Sequence, residues 1–162
     1  MKHPMTRREM IVGSAMALGA GCTCEQASGA AARRSTNCLT PRLEPESLAI
    51  ANDVLTIDLA KAACLVEEGS AADVVNPERS IGLVVVHAGK DEYYALSRLC
   101  THADRTLCYV RTRRVLMCAN ANHSIFDLQG QVVKGPAERP LTSYPTQVGD
   151  GNLLVRLARR SS

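Results

Sequence analysis

Two Cys–His pairs lie in the second half of the chain and constrain its fold more than any other feature. Cys100 and His102 form the first pair, Cys118 and His123 form the second pair, and fifteen residues separate the two. Two thiolates and two imidazoles on neighbouring loops can hold a zinc ion, or a [2Fe–2S] cluster with one all-Cys iron and one all-His iron. The chain must therefore bring two loops together, and the metal they hold decides the function.

The residues that follow the second pair favour the iron–sulfur alternative. Ser124 and Phe126 come directly after it, and a turn containing Gly135 and Pro136 follows. Together with the two pairs, this string resembles the Rieske iron–sulfur proteins over about residues 54–157. The family pattern is a C-x-H loop, a C-x2-H loop followed by serine and an aromatic residue, and a Gly-Pro turn that covers the cluster. The resemblance implies one-electron transfer, with Ser124, Phe126, Gly135 and Pro136 around the cluster.

The same resemblance implies the ligands, with one departure. Cys100 and Cys118 would bind one iron, and His102 and His123 the other. The second pair here is C-x4-H, so alignment on the aromatic residue places Asn122 at the usual histidine position. Either the loop bulges and His123 is the ligand, or the second pair has degenerated. An amide is a poorer iron ligand than an imidazole, so we expect His123.

The remaining histidines and cysteines have simpler interpretations. His87 follows three valines and is expected to be a strand residue. High-potential members of the family join the two cluster loops by a disulfide. Its first position aligns with Arg105, and its second falls within residues 119–122, where the chain has no cysteine. Cys64 and Cys108 are interpreted as small packed hydrophobes, because cysteine outside disulfides is commonly buried.

Short alternating segments separated by glycine-containing turns predict an all-β fold. Residues 81–87 and 93–99 flank a turn containing Gly89, and residues 126–128 and 131–133 flank Gly130. Such spacing is typical of antiparallel sheets packed as a sandwich or small barrel. In the Rieske-type version of this fold, the cluster-binding loops lie at one end. The two pairs fall at the ends of the predicted hairpins.

The N-terminus has the composition of an export leader. Arg7 and Arg8 precede an apolar run at residues 10–21, which resembles a twin-arginine signal. We divide the chain into a leader at residues 1–32, a linker at 33–46 and the Rieske domain at 47–162. The prediction is a protein in the periplasm or on the outer face of the cytoplasmic membrane. The leader, or a lipid on Cys22, would supply membrane association.

The composition of the chain limits the kinds of partner that it is expected to bind. The net charge is only +3 and the chain has no Trp and one Phe, so a basic face with stacking aromatics for nucleic acid is not expected. No nucleophile–base pair is evident outside the two pairs, so we expect an electron-transfer protein or subunit and not a stand-alone enzyme. The expected partner is a cytochrome of a quinol-oxidising complex, with quinol as donor, or a molybdenum oxidoreductase subunit. The alternative is a zinc-stabilised binding module without redox activity.

Overall fold

The described part of the chain is built from short antiparallel strands. The computed structural model describes residues 40–103, 105–119 and 123–157. Within these ranges the only helical segments are three short 3₁₀ turns, at Pro45–Ser47, Ala63–Leu65 and Arg111–Arg113. The strands are β1 (Leu48–Ala51), β2 (Val54–Asp58), β3 (Ala71–Asn76), β4 (Ile81–Gly89), β5 (Glu92–Ser97), β6 (Leu107–Val110), β7 (Val115–Cys118), β8 (Ile125–Phe126), β9 (Val132–Lys134), β10 (Ser143–Tyr144), β11 (Thr146–Gly149) and β12 (Asn152–Arg156).

The described strands form three four-stranded sheets. The base sheet has the order β1-β2-β12-β11, the middle sheet β10-β5-β4-β3, and the site sheet β6-β7-β8-β9. Every strand pair in these sheets is antiparallel. The predicted all-β fold of packed antiparallel sheets is therefore confirmed.

Strand β4 explains how the three sheets are layered. Successive side chains of a strand point to opposite faces of its sheet, and the four residues at the centre of β4 are all buried. Val84 and Val86 face the hydrophobic cluster shared with the site sheet, whereas Leu83 and Val85 face the cluster shared with the base sheet. The middle sheet is therefore covered on both faces, which is why this strand is a continuous apolar run.

Each outer sheet contributes its own apolar residues to one of these clusters. We call the two clusters the site cluster and the base cluster. The site cluster takes Leu107, Tyr109, Leu116 and Phe126 from the site sheet. The base cluster takes Leu55, Ile57, Leu153 and Val155 from the base sheet.

The interpretation of two cysteines differs from the structure. Cys64 and Cys108 were expected to be packed thiols, but both are disulfide-bonded, so that interpretation is wrong. Burial alone cannot separate a packed thiol from a disulfide, because both are apolar and small. Within the predicted linker, Leu43 is buried in the base cluster, and its amide donates to the Asp73 carbonyl of β3 at 2.9 Å.

Other features agree with the sequence. His87 lies in β4, where its ring stacks on Tyr93 with the centroids 4.4 Å apart, as expected of a packed strand residue. Within the described ranges, no helix has the length and apolar character needed to cross a membrane. The predicted leader, including Arg7, Arg8 and Cys22, lies outside the described residues.

Candidate metal centre

The two Cys–His pairs lie on neighbouring loops beside the site sheet. The first loop (residues 100–105) leads into β6, and the second loop (residues 118–124) joins β7 to β8. A bridge between Leu99 and Thr106 closes the first loop. The Ala119 amide then donates to the Thr106 carbonyl at 3.2 Å. Strand pairing and this bond together bring the two loops side by side, as the sequence predicted.

Within each loop the cysteine lies deep and the histidine lies at the surface. Cys100 and Cys118 remain thiols and are each 1% exposed. Both belong to the site cluster, as does the fully buried Phe126. His102 and His123 are exposed. A metal held between such groups would have its sulfur side against apolar protein and its imidazole side toward solvent.

The second loop is closed by bonds between its own ends. The Cys118 amide donates to the Ser124 carbonyl at 2.9 Å. The His123 Nδ1 lies 3.0 Å from the Cys118 carbonyl oxygen. Since a carbonyl only accepts, Nδ1 must carry the hydrogen in this contact, which leaves the lone pair on Nε2. Asn122, the residue at the usual histidine position, lies outside the described residues.

A third segment, residues 135–139, covers both loops, and we call it the cap segment. The Ala137 amide donates to the buried Ser124 Oγ at 3.2 Å, which fastens the cap segment to the second loop. The Thr101 hydroxyl donates to the Arg139 carbonyl at 2.7 Å, which fastens it to the first loop. The cap segment is therefore bonded to both ligand loops.

Gly135 lets the cap segment approach this closely. Its φ is +108°, and a Cβ built there would lie 2.5 Å from the Ser124 Cα and 2.8 Å from the His123 carbonyl oxygen. Any larger residue would have to displace the backbone of the second loop. The glycine is therefore required by contact with the second loop as well as by the turn.

An ion pair beneath the first loop was missed by the sequence analysis. Arg98 Nε lies 2.7 Å from Asp73 Oδ2, and the Arg98 carbonyl accepts the Leu107 amide at 2.8 Å. Burial raises the pKa of Asp73 to about 6, although the Arg98 guanidinium opposes this. The only signal in the sequence was one carboxylate within the apolar segment of β3.

The residues present fit a [2Fe–2S] cluster by the chemistry of their donors. Two buried thiols and two exposed imidazoles on adjacent loops provide sulfur ligands for one iron and nitrogen ligands for the other. The close approach of Gly135 also brings the cap segment against the second loop. Among the described residues, no three His, Cys, Asp or Glu side chains are placed to hold one metal ion; a [2Fe–2S] cluster of this kind differs from a single ion because each of its irons takes only two protein ligands.

Comparison with known proteins identifies the fold family. The Rieske [2Fe-2S] domain model matches residues 57–145, which is more than half of the chain. No curated protein sequence matches.

Among solved structures, the cyanobacterial plasma membrane Rieske protein PetC3 from Synechocystis PCC 6803 is similar, with 29% identity over 52% of this chain and 84% of that chain and a TM-score of 0.46. The ferredoxin of carbazole 1,9a-dioxygenase from Nocardioides aromaticivorans IC177 has 24% identity over 55% of this chain and 86% of that chain, with a TM-score of 0.46.

Proposed function

Since the chain belongs to the Rieske [2Fe–2S] family, and so transfers electrons through a [2Fe–2S] cluster, we propose that its two Cys–His pairs are the cluster ligands. Cys100 and Cys118 bind one iron as thiolates, and His102 and His123 bind the other through ring nitrogens. The bound cluster supplies one-electron oxidation and reduction. The proposed function is one-electron transfer with this ligand set.

The convergence of the two loops under one cap segment is the observation that supports this proposal. The thiols lie in the apolar site cluster, and the imidazoles lie at the surface. An exposed imidazole edge shortens the path for an electron to a partner protein. A buried sulfur side keeps water away from the cysteine ligands, and the apolar surroundings of a site control its potential.

Each neighbouring residue has a defined part in this proposal. The contact between the His123 Nδ1 and the Cys118 carbonyl orients the imidazole, as such bonds do for metal-bound histidine. It leaves Nε2 as the nitrogen with a free lone pair. Phe126 fills the apolar cluster beside both cysteines. Gly135 and Pro136 belong to the cap segment that excludes water.

We further propose that the protein works outside the cytoplasm. The arginine pair at residues 7–8 before an apolar run supports export of the folded protein with its cluster already inserted. The proposed context is a quinol-oxidising cytochrome complex or a molybdenum oxidoreductase, with the chain as its redox subunit. Cell fractionation of the full chain beside an Arg7→Lys, Arg8→Lys variant tests the export, because only the unaltered chain should leave the cytoplasm.

The ligand set is tested by His123→Asn, with His87→Asn as the matched control. His87 lies in β4 and stacks on Tyr93, so its replacement should leave the metal centre intact. We expect His123→Asn to lose the rhombic reduced-state EPR signal and most of its iron, while His87→Asn keeps both. A His123→Asn protein that retains the full signal and iron content would show that this histidine is not a ligand.

A further inference from the structure

A groove of about 580 Å³ lies beside β6, away from the two ligand loops. Thr40, Cys64, Ser70, Tyr109 and Arg111 are among the residues that line it. The Tyr109 hydroxyl and the Ser70 hydroxyl are buried, and neither has a hydrogen-bond partner within the described ranges. Burying a polar group without a partner is costly. The groove therefore presents two hydroxyl groups to an occupant that can accept or donate hydrogen bonds.

The start of the described chain lies in this groove. The Tyr109 amide, on the edge of the site sheet, donates to Thr40 Oγ1 at 3.2 Å. The Asp73 amide of β3 donates to the Pro41 carbonyl at 2.7 Å. Residues 40–43 therefore connect an edge of the site sheet with an edge of the middle sheet. The segment that precedes Thr40 is joined to the described chain at this groove, which makes it the candidate occupant.

Two disulfide-bonded cysteines border the same region. Cys64 lines the groove, and Cys108 immediately precedes Tyr109 in β6. Cys38 is two residues before Thr40. Two extended residues span at most about 7 Å, and the Cα atoms of a disulfide usually lie about 4.4–6.8 Å apart. A segment of two residues before Thr40 is thus long enough for Cys38 to reach a cysteine beside this groove.

Cys64 and Cys108 do not share a packing environment. Cys64 packs against the base cluster. Cys108 alternates along β6 with Leu107 and Tyr109, which both face the site cluster, so its side chain points to the opposite face of the sheet. Cys108 is nevertheless only 7% exposed. These placements favour separate partners for the two cysteines over a bond between them.

We propose that the segment preceding Thr40 occupies this groove and is fastened there by a disulfide from Cys38 to Cys64 or Cys108. The remaining cysteine of the two then takes its partner from Cys22 or Cys24, which requires that this part of the leader stays on the chain. Each bond forms as two thiols lose two electrons and two protons to a disulfide-exchange oxidant, which becomes a dithiol. Such bonds persist in an oxidising compartment.

Tryptic digestion of the full chain without reduction tests the proposal directly. Cleavage after Lys and Arg places Cys38 in peptide 35–42, Cys64 in peptide 62–79 and Cys108 in peptide 106–111, while Cys22 and Cys24 share peptide 9–33. The expected mass spectrum contains peptide 35–42 linked to peptide 62–79 or to peptide 106–111. A spectrum in which peptides 62–79 and 106–111 are linked to each other, with peptide 35–42 unlinked, would overturn the proposal.

A pair of variants gives a second readout. Cys38→Ser should leave one additional alkylatable thiol, located in peptide 62–79 or peptide 106–111. Ser35→Ala lies in the same segment but carries no thiol, so it should leave the alkylation pattern unchanged. If Cys38→Ser exposes no new thiol, the proposed bond does not exist. This outcome is independent of the cluster ligands, because neither variant touches the two ligand loops.

Discussion

Ser124 lies between the second Cys–His pair and the cap segment. Its hydroxyl can accept one hydrogen bond and donate another. Its oxygen accepts the Ala137 amide, so its hydrogen remains to donate to a cluster sulfur. Hydrogen bonds to the sulfurs stabilise the reduced cluster and raise its potential. Phe126, at the aromatic position, has no hydroxyl to add a second such bond, which places the expected potential below the top of the family range of roughly −150 to +300 mV.

We therefore predict that Ser124→Ala lowers the reduction potential. Loss of a hydrogen bond to a charged group, at about 1.5–3 kcal/mol, corresponds to a shift of roughly 65–130 mV for one electron. A redox titration measures the shift. Thr101→Val is the control, because it removes the other bond to the cap segment without removing the Ser124 hydroxyl. Equal shifts in the two variants would mean that the cap segment, and not the hydroxyl, sets the potential.

Asp73 makes a pH-dependent contribution to stability. Its Oδ2 bonds Arg98, but its buried Oδ1 has no partner within the described part of the chain, and burial raises its pKa to about 6 from 3.8. The folded protein therefore holds this proton more tightly than the unfolded chain. The resulting stability is fully present below about pH 3.8 and is lost as the pH rises through about 6.

We predict that Asp73→Asn removes this dependence, which amounts to about 3 kcal/mol at most. Urea unfolding between pH 4 and pH 7.5 measures it. Asp58→Asn is the control: the hydrogen bond from Lys61 lowers the pKa of this exposed carboxyl, so its titration falls below that window. A slope that persists in Asp73→Asn would assign the effect to another group.

Among the elements, the cap segment depends most on a single residue. Gly135→Ala combines a positive φ with a contact of 2.5 Å to the Ser124 Cα, so the cap segment and the second loop must move apart. Backbone strain and overpacking together should cost roughly 2–4 kcal/mol. We also expect faster loss of iron in air, because the cap segment no longer lies against the second ligand loop.

Thermal unfolding and iron release after exposure to air measure the two effects. Gly149→Ala is the matched control, because nothing lies within 4 Å of a Cβ built at that residue. If Gly135→Ala retained wild-type stability and iron content, the cap segment would not be the cover that we describe.

Long strands with a regular apolar pattern could be predicted from the sequence, whereas short or weakly patterned strands could not. The long apolar run of β4 and its hairpin with β5 were predicted, because turn residues with Gly89 bound them. Strand β3 was not predicted from the sequence. Its Ala-Ala-Asp start has weak strand propensity, and pairing with β4 decides that it is extended. Strands β10 and β11 are short and separated by Pro145, which left no periodic pattern to recognise.

For the loops, the positions could be predicted from the sequence, but the contacts between them could not. The positions of the two pairs followed from strand ends, so their proximity could be predicted from sequence. The contacts of the cap segment could not, because they rest on long-range bonds such as the one from Thr101 to Arg139. The ion pair between Asp73 and Arg98 joins residues 25 positions apart and was missed for the same reason.

In the molecule as a whole, the middle sheet packs against the hydrophobic cluster that contains Cys100 and Cys118. Its β4 strand separates the site cluster from the base cluster, so the loops rest on a layer that is packed on both faces. Residues 40–43 connect the edges of two sheets. His102 and His123 lie at the surface, which suits contact with a redox partner.

The central claim is that this molecule holds a redox cluster through its two Cys–His pairs. The most direct measurement is the reduced-state EPR spectrum of protein purified without added metal, with iron and zinc counted on the same sample. We predict a rhombic signal with two irons and no zinc per chain. An EPR-silent, colourless protein holding one zinc would contradict it, because the same four donors would then serve a structural site without electron transfer.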